Sequence, residues 1–373
     1  MENSRLREVA RVFLKLGFLG FGGPAVHIAM MEEEVVRKRQ WMTHEHFLDL
    51  IGATNLIPGP NSTEMALHCG KERAGRKGLL IAGACFILPA VFITGLFAWL
   101  YQQYGTSPQV QPFIYGIKPA IIGVLVSLMT TLGKKAIKSY ELAILGIAAL
   151  AMAIFGVNEA IILFGTGALG MVIYTLKSRP AQLSVFIPLL SLSIAAPHNK
   201  TENWKIFWIF LKVGSILYGS GYVLFSFLNS ELVKPGMLSQ QVLTDAIAVG
   251  QFTPGPVFSS ATFIGWQMNG FSGAALATVG IFMPSFLFVG LLNPLVSRMR
   301  KSKLLSAFLD AVNVSAIALI LVVCFELGKS AITGWQSIVI ALLGFAASFY
   351  FKKLNTAFVI IGGAVLGYLF TVL

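Results

Sequence analysis

Long apolar stretches broken by short polar ones dominate this chain, and the breaks recur at matching places. Leu79–Leu100, Phe113–Leu132, Gly273–Leu292, Leu304–Phe325 and Ala357–Leu373 each approach or exceed the roughly 20 apolar residues that cross a bilayer as a helix. Mean hydropathy is +0.76. Only 12% of residues are charged, about half of what a water-soluble domain carries. The pattern predicts an all-α polytopic membrane protein.

The pattern also repeats. Phe13-Leu14-Lys15-Leu16-Gly17, Phe21-Gly22 and Pro58-Gly59-Pro60 return as Phe210-Leu211-Lys212-Val213-Gly214, Tyr218-Gly219 and Pro254-Gly255-Pro256. Pro89 matches Pro284, and Leu132-Gly133-Lys134 matches Leu327-Gly328-Lys329. Residues 1–178 and 204–373 therefore read as two homologous halves joined by a linker, 179–203. Its Pro180–Pro197 run is too short to assign as a span. Duplicated apolar segments with interruptions at matching places are the pattern of a transporter built from repeats.

Charge gives the halves opposite orientations. The loop after the first Pro-Gly-Pro carries Lys71, Arg73, Arg76 and Lys77 against Glu72, while its counterpart, Trp266–Ser272, is uncharged. At the next loop the contrast reverses: Tyr101–Pro112 is uncharged, and Ser297–Lys303 holds Arg298, Arg300, Lys301 and Lys303. Lys and Arg gather on the cytoplasmic side, so equivalent loops lie on opposite faces and the topology is inverted. The net charge of +12 is thereby explained without a nucleic-acid partner. If each Pro-Gly-Pro unit is a re-entrant hairpin, each half has five spans and the total is ten. If each unit supplies a crossing, the linker must span too, giving thirteen. Thr43–Ile57 and Asn61–Gly70 are short and polar, which favours the hairpin.

Candidate chemistry gathers at the breaks. Proline at Pro58, Pro60, Pro254 and Pro256 forbids a continuous helix. Asn61, Ser62, Thr63 and Glu64 read as the N-cap and first turn of a new helix, whose free N–H groups suit an oxyanion. Ser259 and Ser260 supply hydroxyls at the second break. Gly22, Gly23, Gly219 and Ser220 interrupt the first segment of each half, where glycine allows either ligand approach or close helix packing. Lys15 and Lys212 sit in apolar runs and either attract an anion or extend to the membrane surface.

His44-Glu45-His46 with Asp49 has metal-ligand residue types, but the two histidines point to different helix faces, so no metal site is expected. His27 and His68 are candidate proton carriers or hydrogen-bonded structural residues. Asp49 and Asp245 match between halves and brace or cap the broken segments. Cys69, Cys85 and Cys324 form no disulfide or metal pattern. Arg5, Arg7 and Arg11 precede no small-residue cleavage site, so the N-terminus does not read as a signal peptide. No nucleotide-binding or nucleophile motif occurs, and neither an enzyme nor a cofactor is expected.

Phe-Leu-Lys-Leu-Gly, Gly-Phe-Gly-Gly-Pro, Pro-Gly-Pro and the Gly75–Gly78 loop together resemble the chromate ion transporter family in its two-repeat form. The second half departs from that pattern, with Ser220 and Gly221 where the first has Gly23 and Pro24. The resemblance implies a multi-pass plasma-membrane protein of a microbe that exports chromate and confers chromate resistance. Sulfate, an almost isosteric dianion, is an alternative substrate, as are other small oxyanions or organic acids. A chromate reductase is a rival reading, but it would require a redox centre that no motif supplies. The expected mechanism is alternating access. The membrane potential, anion exchange or proton exchange would drive it. Homodimerisation is compatible with the sequence.

Overall fold

The computed structural model describes residues 2–177, 203–218, 221–299, 302–351 and 354–372. Helices account for nearly all of this, with no strand among the described residues. The linker up to residue 202, together with Gly219 and Ser220, lies outside the described residues.

The first repeat opens with α1 (Glu2–Leu19) and α2 (Pro24–Met31), the latter running on as a π-helical stretch, Glu32–Lys38. Gly20–Pro24 reverses the chain between them, with Pro24 starting α2 where a missing N–H does no harm. The two arms run antiparallel: Lys15 Nζ lies 2.8 Å from Glu34 Oε1, and the Trp41 indole donates to Glu8 at 3.1 Å. Next come α3 (His44–Thr54), capped by the Thr43 hydroxyl, the Pro-Gly-Pro break, and α4 (Asn61–Tyr104). α4 is itself two limbs, because Ala74 and Gly75 leave helical geometry. Gly70 and Gly78 pack backbone to backbone there, which folds 61–73 back on the limb that follows. His46 Nε2 stands 3.3 Å from Glu72 Oε2, so α3 and the first limb of α4 form a second antiparallel hairpin with Pro-Gly-Pro at its tip.

The remaining helices of this repeat are α5 (Gln111–Ala136), α6 (Tyr140–Ile154) and α7 (Glu159–Lys177). The second repeat follows the same order. α8 (Asn203–Ile216) precedes α9 (Val223–Leu228), which has its own π-helical extension, Asn229–Val233. α10 (Gln240–Phe252) is capped by Ser239 and followed by the second break and a 3-10 turn, Val257–Ser259. Then come α11 (Ser260–Met299), kinked at Asn269 and Gly270, α12 (Lys303–Ala331), α13 (Trp335–Tyr350) and α14 (Thr356–Val372).

Both sequence-based crossing counts treat the first segment of each half as one span. The structure differs: the glycine break folds that segment back in the first repeat, and α8 with α9 does the same in the second. There the reversal brings Lys212 Nζ to 2.7 Å from Glu231 Oε1. Each repeat thus has two broken hairpins followed by four further helical limbs.

The repeats are interleaved. α1 packs on α4 and α8 on α11, while α5 packs against α13 and α14, and α12 against α6 and α7. Small residues make this possible: a Cβ on Gly116 would lie 2.0 Å from the Gly363 carbonyl, and one on Gly123 2.2 Å from that of Ala341. The largest hydrophobic core joins both repeats, from Ile121 and Leu125 to Phe210, Phe258 and Ile281. Large apolar side chains such as Phe92, Ile147, Phe325 and Leu342 point outward, as a lipid-facing surface requires.

Polar contacts mark two ends. At one, Arg73 binds Glu8, Lys71 reaches the carbonyls of Val289 and Gly290, Lys138 pairs with Asp310 and Lys177 with Glu141. At the other, the Trp266 indole donates to Gln102 and Asn269 contacts Asn203. The first set takes in the basic loop of the first repeat and, at Val289, Gly290 and Asp310, residues on either side of the second repeat's basic loop, so the inversion read from loop charge has a geometric counterpart. Lys177 and Asn203 stand at opposite ends.

Candidate functional site: four broken tips at the centre

The inversion brings the helix breaks of the two repeats together. The Gly59 amide donates to the Leu217 carbonyl at 2.8 Å, and the Gly255 amide donates to the Gly20 carbonyl at 2.7 Å. These are one contact made twice: each Pro-Gly-Pro tip is tied to the broken first segment of the other repeat. Gly59 and Gly255 hold φ of 137° and 89°, values that L side chains rarely adopt. A Cβ at Gly59 would lie 2.4 Å from Glu64 Oε1 and 2.6 Å from Ser285 Oγ, while one at Gly255 would meet Ala90 at 2.8 Å. Glycine is therefore required there by both conformation and space.

The expected first-turn residues are where the break predicts, with one change. Pro60, not Asn61, caps α4, and its carbonyl accepts from the amides of Thr63 and Glu64. Asn61 instead donates from its side chain to Asn55 at 2.8 Å. The proline ring fixes an extended backbone before the helix, which displaces the cap by one residue. Ser62, Thr63, Ser259 and Ser260 are all buried. Thr94 donates to Ser259 Oγ at 3.2 Å across the repeats, while the hydroxyls of Thr63 and Ser260 make no hydrogen bond among the described residues. Gly22 and Gly23 take left-handed φ at the first tip, and Gly23 lies beside the Tyr222 hydroxyl.

Lys15 and Lys212 have carboxylate partners, Glu34 and Glu231, each 19 residues further on. Both lysines are largely exposed, at 50% and 41%. Either would have to leave its carboxylate to serve a bound anion. The Lys15 ammonium, with Arg39 assisting and burial opposing, holds the Glu34 carboxyl down to about 2. His44 and His46 lie beside different carboxylates, Glu32 and Glu72, instead of a shared centre. Gly17 and Gly214 serve packing: a Cβ on either would strike a backbone carbonyl, of Phe86 or Ile281.

A cavity of about 370 Å³ opens beside the first tip. Asn55, Ile57 and Asn61 form one wall, and Ser302 with Ser306, Asp310 and Asn313 of α12, which it caps, the other. Its size falls in the range of small-ligand sites. The pseudo-equivalent region of the other repeat is held by different contacts. There Ile114, Ala248, Gln251 and Thr253 are buried. Buried Asp245 accepts from Tyr101 at 2.7 Å and lies 3.6 Å from Lys118 Nζ. Asp245 thus braces α10 against α4 and α5 of the first repeat, whereas its match, Asp49, is exposed. Sequence reasoning missed Lys118 and Tyr101, because nothing local links them to Asp245.

The chromate transporter family profile matches residues 7–171 and again 204–368. A probable chromate transport protein of Synechococcus elongatus is 29% identical over 98% of this chain and 95% of its own length. A chromate transport protein of Cupriavidus metallidurans is 28% identical over 97% of this chain and 92% of its own. An uncharacterised Bacillus subtilis transporter, YwrA, is 28% identical over 40% of this chain and 87% of its own length, the size of a single repeat. No solved structure matches the chain.

Proposed function

Because the chain belongs to the chromate transporter family, we propose that it carries chromate outward across the membrane, binding the anion where the four tips meet. The cross-repeat ties at Gly59 and Gly255 carry this reading, since they bring the starts of several short helices to one place in the protein interior. Helix N-termini attract anions through free N–H groups and the aligned peptide dipoles. The hydroxyls of Ser62, Thr63, Ser259 and Ser260, with the backbone at Gly22 and Gly23, are the proposed ligands, alongside Gly219 and Ser220 by sequence match.

The hairpins are re-entrant in this account. Those of the first repeat enter from the basic, cytoplasmic face and those of the second from the other side. The eight further limbs cross the membrane, five of them in helices long and apolar enough to do so by length and composition. The cavity beside Asn61 is then the cytoplasmic vestibule, and Lys118, Asp245 and Tyr101 close the outer path, so the conformation is inward-facing. Exchanging the two arrangements between pseudo-equivalent halves gives the outward-facing state.

Moving two negative charges outward across about 100 mV, inside negative, releases roughly 4.6 kcal/mol. That supports about three decades of outward gradient. The test is flux of labelled chromate in proteoliposomes at a clamped potential, with sulfate and other oxyanions as competitors. Flux that follows the potential and is blocked best by chromate supports the reading. Equal or better competition by sulfate reassigns the substrate, and absence of any oxyanion flux overturns it.

A further inference from the structure

Glu64 is completely buried one turn inside α4, beside the first Pro-Gly-Pro tip. Among the described residues its Oε1 meets the Ser285 hydroxyl alone, at 3.4 Å, and its Oε2 makes no hydrogen bond. No cation pairs with it among those residues. Such a carboxyl carries an unbalanced charge unless it holds a proton or faces a cation, and that charge is costly in an apolar interior. One helical turn further on stands His68, 1% exposed, with no hydrogen-bond partner for either ring nitrogen among the described residues. A turn beyond that, Glu72 reaches the surface beside His46. Residues 64, 68 and 72 share one helix face and span about 12 Å, from the tip to the basic end of the molecule. The matching stretch of the second repeat, Ser260–Met268, has no titratable side chain at all. A structural requirement for the fold would bear on both repeats; a chemical task can be given to one.

We propose that Glu64 is a proton-binding site linked to the neighbouring anion site, and that His68, with Glu72 and His46 beyond it, is its conduit to the basic face. The inference rests on the anion site proposed above. Protonating Glu64 removes a negative charge next to a bound dianion, so it raises anion affinity. By reciprocity, anion binding then draws in a proton. The transfer is simple: the His68 ring accepts a proton at one nitrogen and releases one from the other, and the carboxylate becomes the acid. The groups that face this ladder are few. α2 contributes His27, held on the Gly20 carbonyl, and α3 contributes His46. The second repeat's break contributes Tyr218, and α11 offers the Ser285 hydroxyl. Lys71, on the same limb as His68, is directed to the Val289 and Gly290 carbonyls, and α1 places Glu8 on Arg73 at the base.

The experiment measures chromate binding and proton uptake together, on purified protein in weak buffer at pH 8 with a pH-sensitive dye. The expected result is close to one proton taken up per anion by the wild type and none by Glu64→Gln. Affinity should fall by up to tenfold per pH unit in the wild type and stay flat in Glu64→Gln, the difference cancelling the anion's own protonation. His68→Gln should keep the uptake at equilibrium but slow it several-fold. Chromate binding by the wild type without proton uptake overturns the proposal, as does uptake that persists in Glu64→Gln. If Glu64→Gln does not bind, Glu64→Asp decides: binding with uptake supports the proposal, and binding without it, or no binding, overturns it. Failure of the wild type to bind any oxyanion instead overturns the anion site itself.

Discussion

At Gly59 the chain turns with positive φ, donates to a carbonyl of the opposite repeat and starts a helix after proline; at Gly255 it does the same. The side chains that follow have diverged. After the first tip come Thr63, Glu64 and His68, all buried, and a cavity open toward the basic end. After the second come Ser259 and Ser260, in the repeat whose Asp245 contacts Lys118 and Tyr101. Duplication preserved the backbone device and released the side chains to specialise. The shared part is then expected to bind, and the divergent parts to couple and to gate.

The harshest way to break the comparison is to damage the shared part. Gly59→Val and Gly255→Val each force a side chain into left-handed backbone and an occupied space. Each should reduce chromate flux to below a tenth of wild type, and strain alone should cost about 1–3 kcal/mol of stability. A tip that tolerates the change has no part in the site. The gate comes next. Asp245→Asn leaves Lys118 without its buried partner, a loss of about 3–5 kcal/mol in comparable interior pairs. It should raise labelling of outer-path cysteines several-fold while the protein stays folded. Unchanged labelling would mean that the triad is only a brace.

The hairpin bases sharpen the contrast further. Glu34 lies among Lys15, Lys38 and Arg39, whereas the contact found for Glu231 is with Lys212. Because the Glu34 carboxyl titrates near 2 when folded, below its ordinary 4.5, its stabilisation is complete above pH 4.5 and fades as pH falls toward 2. At 1.36 kcal/mol per unit this is roughly 3 kcal/mol. Thermal melts from pH 6 to pH 3 should show a loss that Glu34→Gln has already suffered at neutral pH. The smallest effect is expected from Lys15→Met with Lys212→Met. If both lysines only clasp their hairpins, flux falls no more than about threefold; a collapse of flux would return them to the anion site.

How much of this is legible in the sequence depends on the range of the interaction. Pro58, Gly59 and Pro60 declare a break wherever they fall, because proline lacks the N–H and glycine admits positive φ. Loop charge declares orientation for an equally local reason. The folding back at Gly20–Pro24 leaves a faint trace: Glu34 and Glu231 follow Lys15 and Lys212 at the same interval, as duplication alone would also give, and the pairing itself is visible only in the structure. The tip-to-tip ties, the packing of α13 and α14 on α5, and the meeting of Lys118 with Asp245 join distant segments through shape. No local pattern encodes them. Glu64 looked like an ordinary first-turn acid until its complete burial set it apart from Glu72.

Ile114 and Leu309 occupy pseudo-equivalent positions, one buried and one lining the cavity. Replacing each with cysteine in a background lacking Cys69, Cys85 and Cys324, then applying an impermeant thiol reagent from either side, tests inversion and alternation together. Leu309→Cys should react readily and only from the cytoplasmic side. Ile114→Cys should react only from outside, slowly, and faster once Asp245→Asn is added. Reaction of both cysteines from the same side would contradict the account.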